Sequence, residues 1–286
     1  MSSEVSGGVD WDALHYISVN ERLGENQRWS TWHEVDRTTA RGPQPHPAWV
    51  VTDHAAVDTD LGVLKTGKEA DVFLLERAVP GDPTKSTLMA AKRYRTSQHR
   101  MFHRDAGYTE GRTGRNTREN RAIQRGSAFG REVESARWAN AEFATLKQLW
   151  AAGVRVPYPV QIDGLELLME YIAEGDGAAP RLAQTRPDPD DLAKLWPQVL
   201  DAMAGFAAMG LAHGDLSPYN VLVRGLGTGD PELVVIDVPQ VVDLVANPMG
   251  VDFLHRDCRT MATWFTRRGH HVDADALVAE LLVYAW

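Results

Sequence analysis

Apolar and polar positions along this chain change their period several times, and each change predicts a different element. Between Leu61 and Arg95 the apolar residues form short runs rich in β-branched and aromatic side chains. LGVL (61–64) and DVFLLER (71–77) flank the turn TGKEA, which predicts a β-hairpin. A second turn, VPGDPTKS (79–86), leads into a third strand, TLMAAKRYR (87–95). The two-residue period places Leu88, Ala90, Lys92 and Tyr94 on one face of that strand. A lysine among small and apolar neighbours either snorkels at an edge or holds a buried anion.

From Ser135 the pattern becomes helical. SARWANAEFATLKQLWAAG (135–153) predicts a helix closed by Gly153. At 100° per residue, Trp138, Leu146 and Leu149 fall within about 40° of Glu142, with Ala139 close by. Glu142 therefore lies inside the apolar arc, where a carboxylate is costly unless a cation pairs with it. LELLMEYI (165–172) predicts a nearly continuous apolar strand, and AEGDGAAPRLAQTRPDPDD (173–191) a linker. Asp191–Leu211 then shows Leu192, Leu195, Trp196, Val199, Met203 and Phe206 at helical spacing, with Pro197 expected to kink or interrupt the helix. HGDLSPYN (213–220), the short strand VLV, the turn GLGTGD and the strand ELVVIDV (232–238) follow. Asp252–Phe265 and Asp273–Tyr284 predict two closing helices. Upstream, a short helix is expected near Asp10–Val19. Beyond it, an extended strap through RGPQPHP is expected to anchor on the body through Trp11, Trp29, Trp32 and Trp49.

The 286 residues suffice for one large domain or two lobes with a core, and 43% hydrophobic with 24% charged residues excludes a disordered or fibrous chain. A single cysteine, Cys258, rules out an intramolecular disulfide and suggests a reducing, cytoplasmic compartment. The start MSSEVSGGVD has no apolar signal core, and no stretch reaches the ~18 apolar residues of a membrane helix. The net charge of −9 argues against uniform coating of nucleic acid. It is unevenly spread. Arg93 to Arg137 contains eleven arginines, no lysine and five acids (Asp105, Glu110, Glu119, Glu132, Glu134), so that segment is +6. Its middle, rich in Gly, Arg and Asn, predicts a long flexible loop. The loop is either a solvated insertion or an arm whose arginine forks meet RNA or another acidic partner.

Two constellations carry candidate chemistry. Gly62-x4-Gly67-Lys68 approaches a P-loop, but Glu69 stands where the metal-binding hydroxyl belongs and a strand follows instead of a helix. Gly67 can still bring hairpin N–H groups close to phosphate oxygens. The sharper cluster is His213-Gly-Asp215-Leu-Ser217-Pro-Tyr-Asn220, followed by Asp237 at the end of an apolar strand. Phosphoryl transfer needs a carboxylate near the acceptor and oxygen ligands for the metal that neutralises the phosphates. Asp215, Asn220 and Asp237 supply these in order, while Lys92 and Glu142 supply a phosphate-holding ion pair.

With these residues in place the chain resembles the RIO-type atypical serine/threonine protein kinases, in the subgroup without a winged helix. The matching strings are LKTGKEADVFLL, AAKRYR, WANAEFATLKQLWAAGVRVPYPV, LLMEYI, HGDLSPYNVLV, VVIDVPQVV and NPMGVDFLHRDC, spanning roughly residues 60–265. The resemblance implies an α+β, two-lobe protein-kinase-like fold with an antiparallel sheet in the N-lobe and a trimmed C-lobe. It implies ATP and Mg²⁺ between the lobes and transfer to protein Ser/Thr, including the chain itself, or an ATPase cycle through an aspartyl-phosphate on Asp237. Lys92 would hold the phosphates, oriented by Glu142, with Lys65, Gly67 and Lys68 beside them. Asp215 would be the catalytic base, with Ser217 in the same loop, and Asn220 and Asp237 the metal ligands. Met169, Glu170, Tyr171 and Ile172 would form the adenine-contacting hinge. Asn140 and Pro239 depart from the family's usual residues, and the arginine-rich insertion is longer than expected.

These readings divide the chain into an N-terminal extension (1–55), an N-lobe (56–172) with the insertion at about 100–132, and a C-lobe (173–286). A ribosomal or RNA partner would use the insertion. Two alternatives share part of the pattern. Aminoglycoside-type small-molecule phosphotransferases have a similar HGD…N…D order, but carry other residues than Ser217 and the IDVPQ string. A nucleotide-binding ribosome-associated scaffold would have lost Lys92, Asp215 or Asp237.

Overall fold

The computed structural model describes residues 23–95 and 128–285. The expected helix near Asp10–Val19, Trp11 and the middle of the arginine-rich segment lie outside the described residues.

A six-stranded antiparallel sheet forms the small lobe. Its strands are β1 (Gln27–Trp29), β2 (Val57–Thr66), β3 (Ala70–Val79), β4 (Asp82–Tyr94), β5 (Pro159–Asp163) and β6 (Glu166–Glu170), in the order β1-β2-β3-β4-β6-β5. The hairpin and third strand expected from Leu61 onward are β2, β3 and β4. The second turn is tighter than its sequence suggests: β4 already begins at Asp82, so Pro83–Ser86 are in the strand. Asp82 makes that possible by accepting from Thr84 N (3.1 Å) and Thr84 Oγ1 (2.6 Å). Strand β6 stops at Glu170, short of the expected Ile172.

The strap is anchored as its aromatic residues suggested. Trp32 is buried with Val50, Leu75, Met89, Ala91, Tyr158, Val160 and Leu168, and Trp49 packs on this cluster. Trp29, in contrast, is 37% exposed on β1. Residues 40–42 run beside β5, with Gly42 N donating to Val160 O and Ile162 N to Ala40 O, both at 2.9 Å. Within the sheet, Arg77 is fully buried. Its guanidinium is bidentate to Asp58 (2.6 and 2.9 Å) and also donates to Gln161 Oε1 (2.9 Å), so the buried charge is paired and hydrogen-bonded.

Helix α1 (Ala128–Ala151) enters next and packs Ala139, Phe143, Leu146 and Leu149 into the main core. Gly153, at φ 79°, terminates it, with Val154 N bonding back to Leu149 O (3.0 Å). The linker after β6 contains a short hairpin of β7 (Ala173–Glu174) and β8 (Gly177–Ala178), then a 3₁₀ turn, Leu182–Gln184.

The large lobe holds α2 (Pro189–Ala208), β9 (Leu211–Ala212), β10 (Val221–Arg224), β11 (Glu232–Val235), β12 (Val242–Asp243), α3 (Gly250–Thr266) and α4 (Ala274–Ala285). Asp188 caps α2 by accepting from Asp191 N (2.8 Å), with Pro189 at the first helical position. The expected interruption at Pro197 does not occur; α2 runs through it. Proline removes one backbone donor there, while Leu192, Leu195, Val199, Met203 and Phe206 all bury against the core and hold the helix together. None of the described helices is long and apolar enough to cross a membrane.

Candidate active site

The alternation along β4 divides its side chains between two environments. Met89 and Ala91 point into the Trp32 cluster, whereas Lys92 and Tyr94 belong to the opposite or inner surface near α1. Lys92 sits mid-sheet, opposite Val72 on β3 and Leu167 on β6. Its Nζ lies 2.7 Å from Glu142 Oε1 and 3.1 Å from Asp237 Oδ1. Tyr94 donates its hydroxyl to Glu142 Oε2. Glu142 is thus buried in the apolar arc of α1, as its position implied, with both carboxylate oxygens engaged.

The electrostatics follow from this packing. Burial works against the Lys92 charge, yet Glu142 and Asp237 more than offset it and hold the ammonium above the usual lysine range. Burial alone would raise Asp237, but Lys92 and then Lys65 bring its carboxyl below the usual carboxylate range. Burial drives Glu142 toward its neutral form, and Lys92 opposes this.

Asp237 does not end the strand itself. Strand β11 stops at Val235, Ile236 N donates to Asn220 O (2.9 Å), and Asp237 turns out of line at φ 66°. It is the one non-glycine residue in the left-handed region among the described residues, a conformation a short polar side chain tolerates better than a branched one.

The loop from His213 to Asn220 is built from its own hydrogen bonds and one external clamp. Asn220 Nδ2 donates to Asp215 O (2.9 Å) and lies 3.4 Å from Asp215 Oδ2, and Asn220 N donates to Ser217 O (2.8 Å). Asp215 is exposed, Ser217 half-buried and Asn220 buried. Burial keeps the His213 imidazole below its usual value. Its Nε2 is 3.2 Å from Ile236 O and its Nδ1 accepts from Asp215 N (3.3 Å), which assigns the neutral Nε2–H tautomer. The clamp is Asp257 on α3, whose carboxylate accepts from Gly214 N (2.8 Å) and Leu216 N (2.9 Å), either side of Asp215. Gly214 has φ 81°, and a Cβ there would lie 2.5 Å from Gln240 O, so no other residue fits.

Tyr94, Asp257 and Arg256 were not among the sequence candidates. Tyr94 had a signal in its position, two residues from Lys92 on the same face. Asp257 had none beyond its place inside the string NPMGVDFLHRDC. Arg256, which donates to Gly214 O, was equally silent.

The remaining candidates lie around this centre. Lys65, at the end of β2, and Lys68, in the β2–β3 turn, are exposed. A Cβ on Gly67 would stand 2.7 Å from Ala70 O, so the turn requires glycine. Met169 pairs with Ala90 on β4, and Glu170 N donates to Tyr158 O (2.9 Å). Ile172 O accepts from Ala179 N (2.9 Å), and Tyr171 is half-buried between them. Glu170 turns its side chain back to accept from Tyr158 N (3.1 Å). A cavity of about 310 Å³ opens there, lined by Glu170, Ile172, Trp150, Val154, Arg224 and others, and it contains none of Lys92, Asp215, Asn220 or Asp237.

Asp237 and Asn220 offer hard oxygen atoms, which suit Mg²⁺ better than a softer transition metal. The Asn220 amide nitrogen already faces Asp215, leaving its oxygen as the atom suited to a cation.

A six-stranded antiparallel lobe joined to a helical lobe, with a lysine–carboxylate cluster between them, defines the protein-kinase-like class. The sequence pattern of the RIO domain matches residues 79–277. This chain belongs to the RIO domain family. It is 37% identical over 222 residues to the RIO-type serine/threonine-protein kinase Rio1 of Haloferax volcanii, covering 77% of this chain and 68% of that protein. It is 29% identical over 263 residues to the serine/threonine-protein kinase rio1 of Schizosaccharomyces pombe, covering 89% of this chain and about half (48%) of that protein. Among solved structures it resembles the Rio2 kinase–ADP/Mg²⁺–phosphoaspartate complex of Chaetomium thermophilum. The TM-score is 0.53 at 22% identity, covering 79% of this chain and 65% of that one, a likeness of fold. The small-molecule phosphotransferase alternative loses its ground, because the match to the RIO pattern runs through both lobes.

Proposed function

We propose that this chain is an ATP- and Mg²⁺-dependent RIO-type serine/threonine protein kinase. The observation that carries the reading is the double contact of Lys92, 2.7 Å from Glu142 and 3.1 Å from Asp237, beside the Asp215–Asn220 pair. Lys92 holds the nucleotide phosphates, and Glu142, fixed by Tyr94, keeps its ammonium in the cleft. Asn220 and Asp237 would hold Mg²⁺, which would neutralise charge on the phosphates. Asp215, exposed at the cleft, orients the acceptor hydroxyl and takes its proton as that oxygen bonds to the terminal phosphorus and the bond to the departing ADP oxygen breaks. Lys65, Gly67 and Lys68 face the phosphates from the β2–β3 turn, Ser217 lies beside the acceptor, and Met169 to Ile172 contact adenine. The extension (1–55), N-lobe (56–172) and C-lobe (173–286) divide this work, with β1 of the extension completing the small-lobe sheet.

Incubation with γ-labelled ATP and Mg²⁺ tests the reading. Label on Ser or Thr, stable to hydroxylamine, supports the kinase. Label on Asp237 that hydroxylamine releases, with free phosphate accumulating, supports an ATPase cycle through the aspartyl-phosphate instead. No transfer and no hydrolysis overturns both.

The finer setting is also proposed. The single cysteine, Cys258, is free and buried, which suits a reducing cytoplasm. The +6 arginine-rich segment suits an RNA or ribosomal partner, because arginine forks pair with phosphates.

A further inference from the structure

The loop Leu211–Val223, which carries Asp215 and Asn220, contains neither lysine nor arginine. Any cation that meets a phosphate over this loop must come from elsewhere. Lys92 and Lys65 arrive from the small lobe. A third cation, Arg181, arrives from the linker that follows the hinge.

Arg181 is bound to the loop from several directions. Its guanidinium donates to Tyr219 O, the carbonyl next to Asn220. Its backbone forms a β-bridge with Leu222, flanked by Val223 N to Pro180 O (3.0 Å) and Ala183 N to Pro218 O (2.9 Å). The residue is half-buried, and the carbonyl uses only part of the guanidinium's set of donors. No carboxylate pairs with it among the described residues. Its charge is also felt by Lys65 on β2: partial desolvation of this largely accessible side chain first, then Arg181, lowers Lys65 below the usual lysine range, with Asp237 opposing. Lys65 from the small lobe and Arg181 from the linker thus carry like charges that act on each other, with the Asp237 carboxylate opposing. Such an arrangement is relieved by an anion between them.

We propose that Arg181 is a phosphate-binding residue that, together with Lys65, grips the terminal phosphate of the nucleotide. Anchoring on Tyr219 O sets the guanidinium beside Asn220, next to the residue proposed to hold the metal and hence the transferred group. The inference rests on the kinase reading.

Calorimetric titration of the full chain with Mg²⁺ and either a non-hydrolysable ATP analogue or ADP tests it. Arg181→Gln should weaken the ATP analogue roughly tenfold or more, the loss of one charge-assisted contact, while changing ADP affinity by less than about threefold. Arg181→Lys, which keeps the charge and a donor for Tyr219 O, should recover part of the loss. Equal losses for both nucleotides would make Arg181 a support of the loop and overturn the proposal. Unchanged binding of both would also overturn it, and if transfer to an acidic acceptor alone were then impaired, the arginine would belong to the acceptor site. A wild-type chain that binds neither nucleotide would instead remove the kinase reading itself.

Discussion

Lys92 Nζ and Asp237 Oδ1 stand 3.1 Å apart, so the central strand of the small lobe is joined directly to the turn after β11 in the large lobe. The same ammonium holds Glu142 at 2.7 Å. One cation therefore links the sheet, α1 and the large lobe, and it does so at the point where phosphate and metal would meet.

Removing either end of that link should remove activity. Lys92→Ala and Asp237→Ala are each expected to cut Mg·ATP turnover by ~10²-fold or more, since both remove charge that stabilises the transferring phosphate. The stability effects should differ. Lys92→Ala leaves Glu142, 2% exposed, without its cation and should lower stability by roughly 3–5 kcal/mol. Asp237→Ala leaves Lys92 its Glu142 partner and should cost less. Steady-state turnover and urea unfolding of the two variants check both statements.

Asp215→Asn should retain nucleotide affinity and lose transfer. The side chain is exposed, and the proton-accepting role proposed for it would be felt in the transition state more than in the bound ground state. Calorimetry with ATP, set beside the rate of label transfer, separates the two. Weakened binding at an unchanged kcat would contradict the assignment.

Tyr94→Phe removes the hydroxyl that serves Glu142 Oε2 and leaves a buried carboxylate oxygen without its donor. A loss of about 1.5–3 kcal/mol in unfolding free energy is expected. The KM for ATP should rise as well, because Glu142 then holds Lys92 less firmly. An unchanged KM would confine Tyr94 to a structural part.

Asp257 predicts a pH dependence. Burial raises its carboxyl to about 7, although the N–H groups of Gly214 and Leu216 and the Arg256 charge oppose the rise. The folded state therefore holds a proton that the unfolded chain has released at its ordinary value of 3.8, so this group lowers stability as pH climbs from about 4 to about 7. The contribution is on the order of a few kcal/mol and levels off above that range. Asp257→Asn should flatten that part of the stability profile, which chemical unfolding at pH 4, 5.5 and 7 would reveal.

The arginine-rich segment gives the last expectation. Replacing Arg112, Arg115, Arg118, Arg121 and Arg125 by serine should weaken RNA binding and reduce its salt dependence while sparing basal ATP hydrolysis. Filter binding at several salt concentrations measures this. Equal binding by both chains would make the segment a solvated insertion or a strip for an acidic protein.

Much of the architecture was legible in the chain because burial imposes a period. Alternation on β4 put Lys92 and Tyr94 on one face, and the helical stripe on α1 put Glu142 among apolar residues, so each announced a buried charge in need of a partner. The order Asp215, Asn220, Asp237 was likewise legible as a set of candidates, although Asp237 lies two residues past the end of β11 and not on the strand.

A period tells which side of an element is buried but not what it is buried against. Only the tertiary structure decided that Glu142 serves Tyr94 as well as Lys92, and that Asp257, 43 residues beyond Gly214, holds the loop around Asp215. The same is true of the strap: Trp32 read as an anchor, but its seat between Val50, Tyr158 and Leu168 depends on how residues 40–42 run beside β5. Local rules also misjudged two elements. Pro197 is expected to kink or interrupt α2 and does not interrupt it, and β6 is expected to reach Ile172 but stops at Glu170. In the fold, long-range burial of Leu195 and Val199 outweighs the single donor lost to proline, and the bond from Ala179 N to Ile172 O draws the chain away from the sheet. The sequence alone thus determined which residues must find partners, and contacts between distant segments determined which partners they found.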